Sequence, residues 1–198
     1  MALVLAGGDG RRMGGSKQLR RLGATALVSH AVSLARGYCP KLAVSVRTPD
    51  QITGAMDVDL VPDAPGLEGP LGGLAAGLAF ARNGGLSRVL TLPCDAPRLP
   101  RDLLSRLEAA LEEGGPATAA VATSGGRLHA TCALWPVDET LAALQPYAAS
   151  GGRSLRGLAG ELPMVLVAWE PDDDDLFANA NTPDELAALQ SGQNAFGY

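Results

Sequence analysis

Short apolar runs alternate along the chain with longer stretches of mixed polarity. Leu3 to Leu5 is the first such run and predicts a strand, followed by a loop to about Lys17. Ala26 to Ala35 predicts a helix, stopped near Gly37 and Pro40. Leu42 to Val46 predicts a strand, Asp59 to Pro62 a short extended piece, and Gly72 to Ala81 a helix of small residues. Val89 to Leu92 predicts a strand running into Pro93-Cys94-Asp95, and Asp102 to Glu112 a helix. Ala117 to Ala122 and Thr131 to Trp135 read as strands, with Gly125-Gly126-Arg127 turning between them. A helix near Glu139 to Leu144, a strand at Met164 to Trp169 and a helix from Thr182 to Leu189 follow. Strands alternating with helices predict an α/β fold, one three-layer domain whose mostly parallel sheet is covered on both faces. No repeat or linker divides the chain, so residues 1–190 are expected to form the domain and 191–198 a loose tail.

The loop after the first strand changes the picture most. Gly7-Gly8-Asp9-Gly10-Arg11-Arg12-Met13-Gly14-Gly15-Ser16-Lys17 carries five glycines and three cations. Glycines let backbone N–H groups close around an anion, and the cations supply countercharge. Strand, such a loop, then helix is how α/β proteins hold nucleotide phosphates. The chain has 198 residues, 46% of them hydrophobic, which is enough for a sizeable core. A net charge of -5 argues against wholesale binding to nucleic acid or a membrane surface. Yet half of the 16 cations precede Thr48, and no acid lies between Asp9 and Asp50. That local positive region suits a small phosphorylated molecule. Lys17 and Lys41 are the only lysines among those 16, so a lysine kept in the glycine loop stands out as a compact phosphate ligand. Cys39, Cys94 and Cys132 are scattered and indicate neither a disulfide framework nor a zinc site. With Met1 followed almost at once by a strand, there is no room for a signal peptide, and a reducing cytoplasm is the expected location.

The loop matches neither common phosphate motif. A dinucleotide fingerprint needs an acid about 20 residues on, and the stretch from Gly10 to Pro49 has none. A Walker A loop needs Ser or Thr after its lysine, where this chain has Gln18. Asp95 lies just past the carboxyl end of a strand, between Pro93 and Pro97, where open α/β sheets place ligands. A carboxylate there can hold Mg²⁺, and Asp102 is the better candidate for capping the next helix. Asp63 precedes the turn Gly66-Leu67-Glu68-Gly69-Pro70, which opens into a helix whose first amides can receive a base or sugar; it reads equally as an Asx-turn residue. Thr182 and Glu185 form a capping box with Pro183 at the first helical position. Asn179 and Asn181 would share a face of an extended segment. His129, beside a turn, reads as structural, and Asp172 to Asp175 as a solvated acidic loop. Gly151-Gly152-Arg153-Ser154-Leu155-Arg156 offers cations to a second phosphate or simply starts a helix. No nucleophile–histidine pair is suggested by spacing. Glycine loop, lysine and metal-type carboxylate fit phosphate-centred displacement.

Leu5-Ala6-Gly7-Gly8-x-Gly10-Arg11-Arg12-Met13-Gly14 with Lys17 resembles the signature of single-domain nucleotidyltransferases of glycosyltransferase-A type. Gly69-Pro70-Leu71-Gly72-Gly73, Pro93-Cys94-Asp95-Ala96-Pro97, Gly152-Arg153-Ser154 and Asn179-x-Asn181-Thr182-Pro183-x-Glu185-Leu186 narrow the resemblance to the molybdenum cofactor guanylyltransferase family, over nearly the whole chain. The resemblance implies a Rossmann-like sheet of the nucleotide-diphospho-sugar transferase type. It implies Mg²⁺-dependent transfer of GMP from GTP to the phosphate of Mo-molybdopterin, with a molybdenum-insertion protein and an acceptor molybdoenzyme as further partners. Carried over by motif, Leu5, Ala6, Gly7, Gly8, Asp63, Gly69 and Pro70 would bind the nucleotide. Arg12 and Lys17 would act on its phosphates, Asp95 would hold the metal, and Gly15, Asn179 and Asn181 would face the pterin. Three features depart from the family. The Gly14-Gly15-Ser16-Lys17 loop is one residue short and lacks an acid, and that shorter spacing, with Gln18-Leu19 following, is similar to cytidylyltransferase relatives. Val44-Ser45-Val46-Arg47 stands where many members have asparagines, and His129-Ala130 replaces His-Pro. A CTP-dependent transferase and a non-catalytic nucleotide or pterin carrier are the alternatives.

Overall fold

The computed structural model describes residues 1–7, 17–52, 56–115, 118–170 and 175–195. Its sheet is built outward from β1 (Ala2–Leu5), which pairs in parallel with β4 (Leu42–Val46) on one side and β6 (Arg88–Pro93) on the other. Val4 thereby lies between Val44 and Leu92. Successive side chains of β1 enter opposite layers. Ala2 and Val4 pack with Val28, Ala31 and Val32 of α1 (Leu27–Tyr38), whereas Leu3 packs with Leu71, Leu74 and Leu78 of α2 (Pro70–Asn83). A strand buried on both faces needs a continuous apolar run rather than alternation, which is why Leu3-Val4-Leu5 shows no polar positions.

The full order is β5-β4-β1-β6-β8-β7-β9. β5 is Asp59–Pro62, β7 Ala119–Ser124, β8 Arg127–Pro136 and β9 Met164–Trp169. Only β8 runs against its neighbours; β7 and β9 are parallel to each other. α3 (Leu103–Gly114) shares the α1 face through Leu103, Leu107 and Leu111. α4 (Val137–Ala149) and α5 (Leu155–Ala159) join α2 on the other face. The expected three-layer, mostly parallel α/β architecture is therefore the observed one.

Local differences have physical reasons. Arg21–Leu22 and Thr25–Ala26 form an antiparallel hairpin, β2 and β3, that short propensity arguments did not anticipate. It is stabilised from outside: Leu22 and Leu27 form a small core with Ala180, Leu186 and Leu189, joining the hairpin to α6 (Pro183–Ala195). Asp102 does not cap α3 with its side chain; its Oδ1 instead accepts the Trp169 Nε1–H at 3.0 Å. The start of the strand expected at Ala117, and residues 172–174 of the acidic loop, lie outside the described residues. The expected tail, 191–198, carries α6 through Ala195.

Candidate active site

At the carboxyl ends of β1, β4, β5 and β6 lies a cleft of about 640 Å³. That is where parallel sheets leave room for ligands, because the crossing loops diverge there. Leu5, Ala6 and Gly7 form its floor, Asp63, Gly69 and Pro70 one end, and Lys17, Asp95 and Asn181 the other.

Lys17 is the hub of the second end. Its Nζ donates to Asp95 Oδ2 and to Asn181 Oδ1, the latter at 2.7 Å. The Lys17 and Asp95 side chains are only 13% and 15% exposed, so solvent does little to screen the pair. Neighbouring structure fixes each partner. The Asp95 carbonyl accepts the Ala180 N–H at 2.9 Å, which pins the segment carrying Asn181. Glu185 Oε2 accepts the N–H groups of Asn181 and Thr182 at 2.6 and 3.0 Å, and Thr182 Oγ1 accepts that of Glu185 at 3.2 Å. The expected capping box is thus present, and it also positions the asparagine.

Asp63 dominates the first end. Its carboxylate lies against the backbone of Gly7: a Cβ there would fall 2.2 Å from Asp63 Oδ2. Asp63 Oδ1 is buried without a hydrogen-bond partner among the described residues. Burial raises the Asp63 carboxyl above its ordinary range, while the Arg47 charge and the Ser45 hydroxyl pull it down. Gly69, at φ 60°, turns the chain into α2 with Pro70 at its first position, so the helix N-terminus opens on this end. Cys94 borders the cleft, but burial, aided by the Asp95 charge, pushes its thiol up to about 12. It is a neutral group, not a nucleophile.

Asp95 and Asn181 present two oxygens to one cationic nitrogen. Hard oxygen donors of this kind suit Mg²⁺, which takes one or two protein carboxylates and completes its shell with phosphate and water oxygens. The residues present therefore fit such an ion, although the described residues hold no cluster of three or more His, Cys, Asp or Glu.

Of the residues singled out in the sequence, Leu5, Ala6, Gly7, Lys17, Asp63, Gly69, Pro70, Asp95 and Asn181 share this one cleft. Gly8, Arg12 and Gly15 lie outside the described residues. Asn179 does not line the cleft with Asn181; its Oδ1 is buried without a partner among the described residues. Arg153 reaches Glu68 at 3.0 Å in an exposed pair, and Ser154 caps α5 by accepting the Gly157 N–H. His129 stacks on Phe177 at 4.4 Å and shares a hydrogen bond with Ser124 in a separate cavity of about 220 Å³, with burial lowering its basicity. Gln18, Ser45, Arg47 and Thr131 line the cleft without having been selected as site residues. Ser45 and Arg47 carried a signal, the missing asparagines, and Gln18 one as the residue that departs from the Walker A pattern; Thr131 carried none.

A parallel-sheet cleft with a glycine-edged floor, a lysine–carboxylate pair and a helix N-terminus is the architecture of a nucleotidyltransferase. Residues 2–163 match the family described as the MobA-like NTP transferase domain. The chain belongs to that family and is a nucleotidyltransferase enzyme. It is 36% identical over 193 residues to a molybdenum cofactor guanylyltransferase of Rhodopseudomonas palustris (strain HaA2), covering 96% of this chain and 90% of that one. A molybdenum cofactor guanylyltransferase of Cereibacter sphaeroides (strain ATCC 17023) is 37% identical, with 96% and 94% covered. The molybdopterin-guanine dinucleotide biosynthesis protein A of Archaeoglobus fulgidus superposes with a TM-score of 0.77 at 20% identity, over 98% of both chains, a likeness that bears on the fold alone. Among the described residues, no helix is long and apolar enough to cross a membrane.

Proposed function

We propose that this enzyme transfers GMP from GTP to the phosphate of Mo-molybdopterin, giving molybdopterin guanine dinucleotide and pyrophosphate. The observation that carries the reading is the convergence of Lys17, Asp95 and Asn181 at one end of a cleft whose other end holds the unpaired Asp63 oxygen. A carboxylate with a free buried oxygen is complementary to the adjacent N1–H and N2–H₂ donors of guanine. Cytosine offers a single amine on its pairing edge.

An acceptor phosphate oxygen attacks the α-phosphorus of GTP. A new P–O bond forms, the α–β bridging bond breaks, and pyrophosphate leaves with the electron pair. Lys17 places positive charge against the phosphates from a nearly dry position, where it counts for more than in water. Asp95 and Asn181 orient that ammonium, and Asp95 would hold Mg²⁺. When bound, the ion neutralises phosphate charge and orders the oxygens for in-line displacement. Asp63 and the opening of α2 fix the base, and Asn181 faces the pterin side, to which Gly15 would contribute. Arg12 and Gly8 add phosphate contacts from the glycine loop.

Thermal shift with GTP or CTP, each with Mg²⁺, tests the nucleotide, and pyrophosphate release on adding molybdopterin tests the reaction. Stabilisation by GTP over CTP, and release only with the acceptor present, are expected. Stabilisation by CTP alone would replace guanine by cytosine, and binding without release would make the protein a carrier.

A further inference from the structure

Gln18 follows the phosphate lysine and is nearly solvent-free, at 2% exposure, yet it borders the cleft. Its amide orientation is fixed. The nitrogen must face the Gln51 carbonyl, which can only accept, and it donates there at 3.2 Å. Gln51 is itself held: its Nε2 donates to the Ala6 carbonyl at 2.8 Å, and its Oε1 accepts the Arg47 N–H. The amide of Gln18 therefore cannot turn over without breaking the link to the floor of the cleft. Its Oε1 is left buried with no partner among the described residues. Buried polar atoms are nearly always satisfied, so an oxygen of this kind at a ligand cleft points to a donor on the ligand.

The chemistry of that donor is restricted. Triphosphate oxygens are acceptors at neutral pH and cannot serve. On a bound nucleotide, the donor is then an O–H or N–H of the sugar or the base. Gln18 adjoins Lys17, at the Asp95 end, and its amide reaches Gln51, on the turn that follows Arg47 towards the Asp63 end. Between the phosphates and the base lies the sugar.

We propose that Gln18 reads the sugar: its buried Oε1 accepts a hydrogen bond from a ribose hydroxyl of the bound nucleoside triphosphate. This rests on the reading of the cleft as a triphosphate site and adds a residue that selects ribonucleotides over deoxyribonucleotides. A site built around a hydroxyl rejects the analogue that lacks it, because its own buried group is left unpaired.

The test is equilibrium binding of GTP, 2′-deoxy-GTP and 3′-deoxy-GTP, each with Mg²⁺, to the wild-type protein and to Gln18→Met. The wild type is expected to bind one of the deoxy analogues about tenfold or more weakly than GTP. Gln18→Met should bind GTP and that analogue alike. Equal wild-type affinity for all three nucleotides overturns the proposal without any variant. So does undiminished discrimination by Gln18→Met, and in that case the triphosphate reading stands. If no triphosphate binds the wild type, both fall together. NMR of the wild-type side-chain amide of Gln18 gives a readout that does not depend on the variant folding. Its resonances should move with GTP and not with the rejected analogue; identical movement with both overturns the proposal.

Discussion

Gly7→Ala tests the proposed contact of Asp63 with the guanine base. A Cβ on Gly7 would lie 2.2 Å from Asp63 Oδ2 and 3.1 Å from Oδ1. Ordinary contact begins near 3.4 Å, so the nearer oxygen must retreat by about 1.2 Å. A hydrogen bond stretched by that much is lost. Two charge-assisted bonds to guanine, at about 1.5–3 kcal/mol each, put the cost near 3 kcal/mol or more, which is about a hundredfold in GTP affinity. The fold should tolerate the change, because the clash is with the end of a side chain and Gly→Ala reduces unfolded-chain entropy by about 0.4–1 kcal/mol. Titration calorimetry with GTP and with CTP, alongside a circular-dichroism melt, reads both effects. Expected are a melting temperature near that of the wild type, a large loss for GTP and a smaller one for CTP. GTP affinity within threefold of the wild type, or equal losses for the two nucleotides, would refute the assignment of Asp63 to guanine.

Asp95→Asn keeps an oxygen for Lys17 but removes the charge; turnover should fall by about 10²–10³, read as pyrophosphate release, with GTP binding largely kept. Gly77→Ala would put a Cβ 2.2 Å from Leu3 Cδ2 in the core; overpacking should outweigh the gain in helix propensity by about 1–2 kcal/mol in urea unfolding. The carboxyl of Asp63 is raised in the native state, so the folded protein holds its proton longer than the unfolded chain, and the stability this contributes is lost as pH rises through the native value. Asp63→Asn, which cannot ionise, should therefore gain stability over the wild type at about pH 7 and lose that advantage below the ordinary carboxyl value of 3.8. Equal urea midpoints for the two proteins at about pH 7 would count against a buried, charged Asp63.

Much of this fold was legible because its central strands are buried on both faces and spell themselves as apolar runs, as Leu42–Val46 does; Met164–Trp169 also matches its expected bounds, although it exposes Met164 and Leu166. The hairpin Arg21–Ala26 was not legible, since two residues per strand carry no period and its stability comes from Leu186 and Leu189 far along the chain. The same distinction holds in the site. Lys17, Asp95 and Asp63 stood out as charges beside glycine or proline. Gln18 became meaningful only once its burial and its unpaired oxygen were visible, and Asn179 parted from Asn181 because position in a short segment does not fix where an amide ends up. Asp102 looked like a cap, but a tertiary partner, the Trp169 indole, claimed its side chain.

Lys17 finds its partners 78 and 164 positions downstream, the second just ahead of the helix that packs on β2. During synthesis the lysine therefore emerges long before the asparagine that orients it. On the proposed role of this pair, activity is expected only once the segment ahead of α6 has been made and has docked. Removal of the segment from Asn181 onward is therefore expected to cost turnover, while none of the strands of the seven-stranded sheet is lost with it.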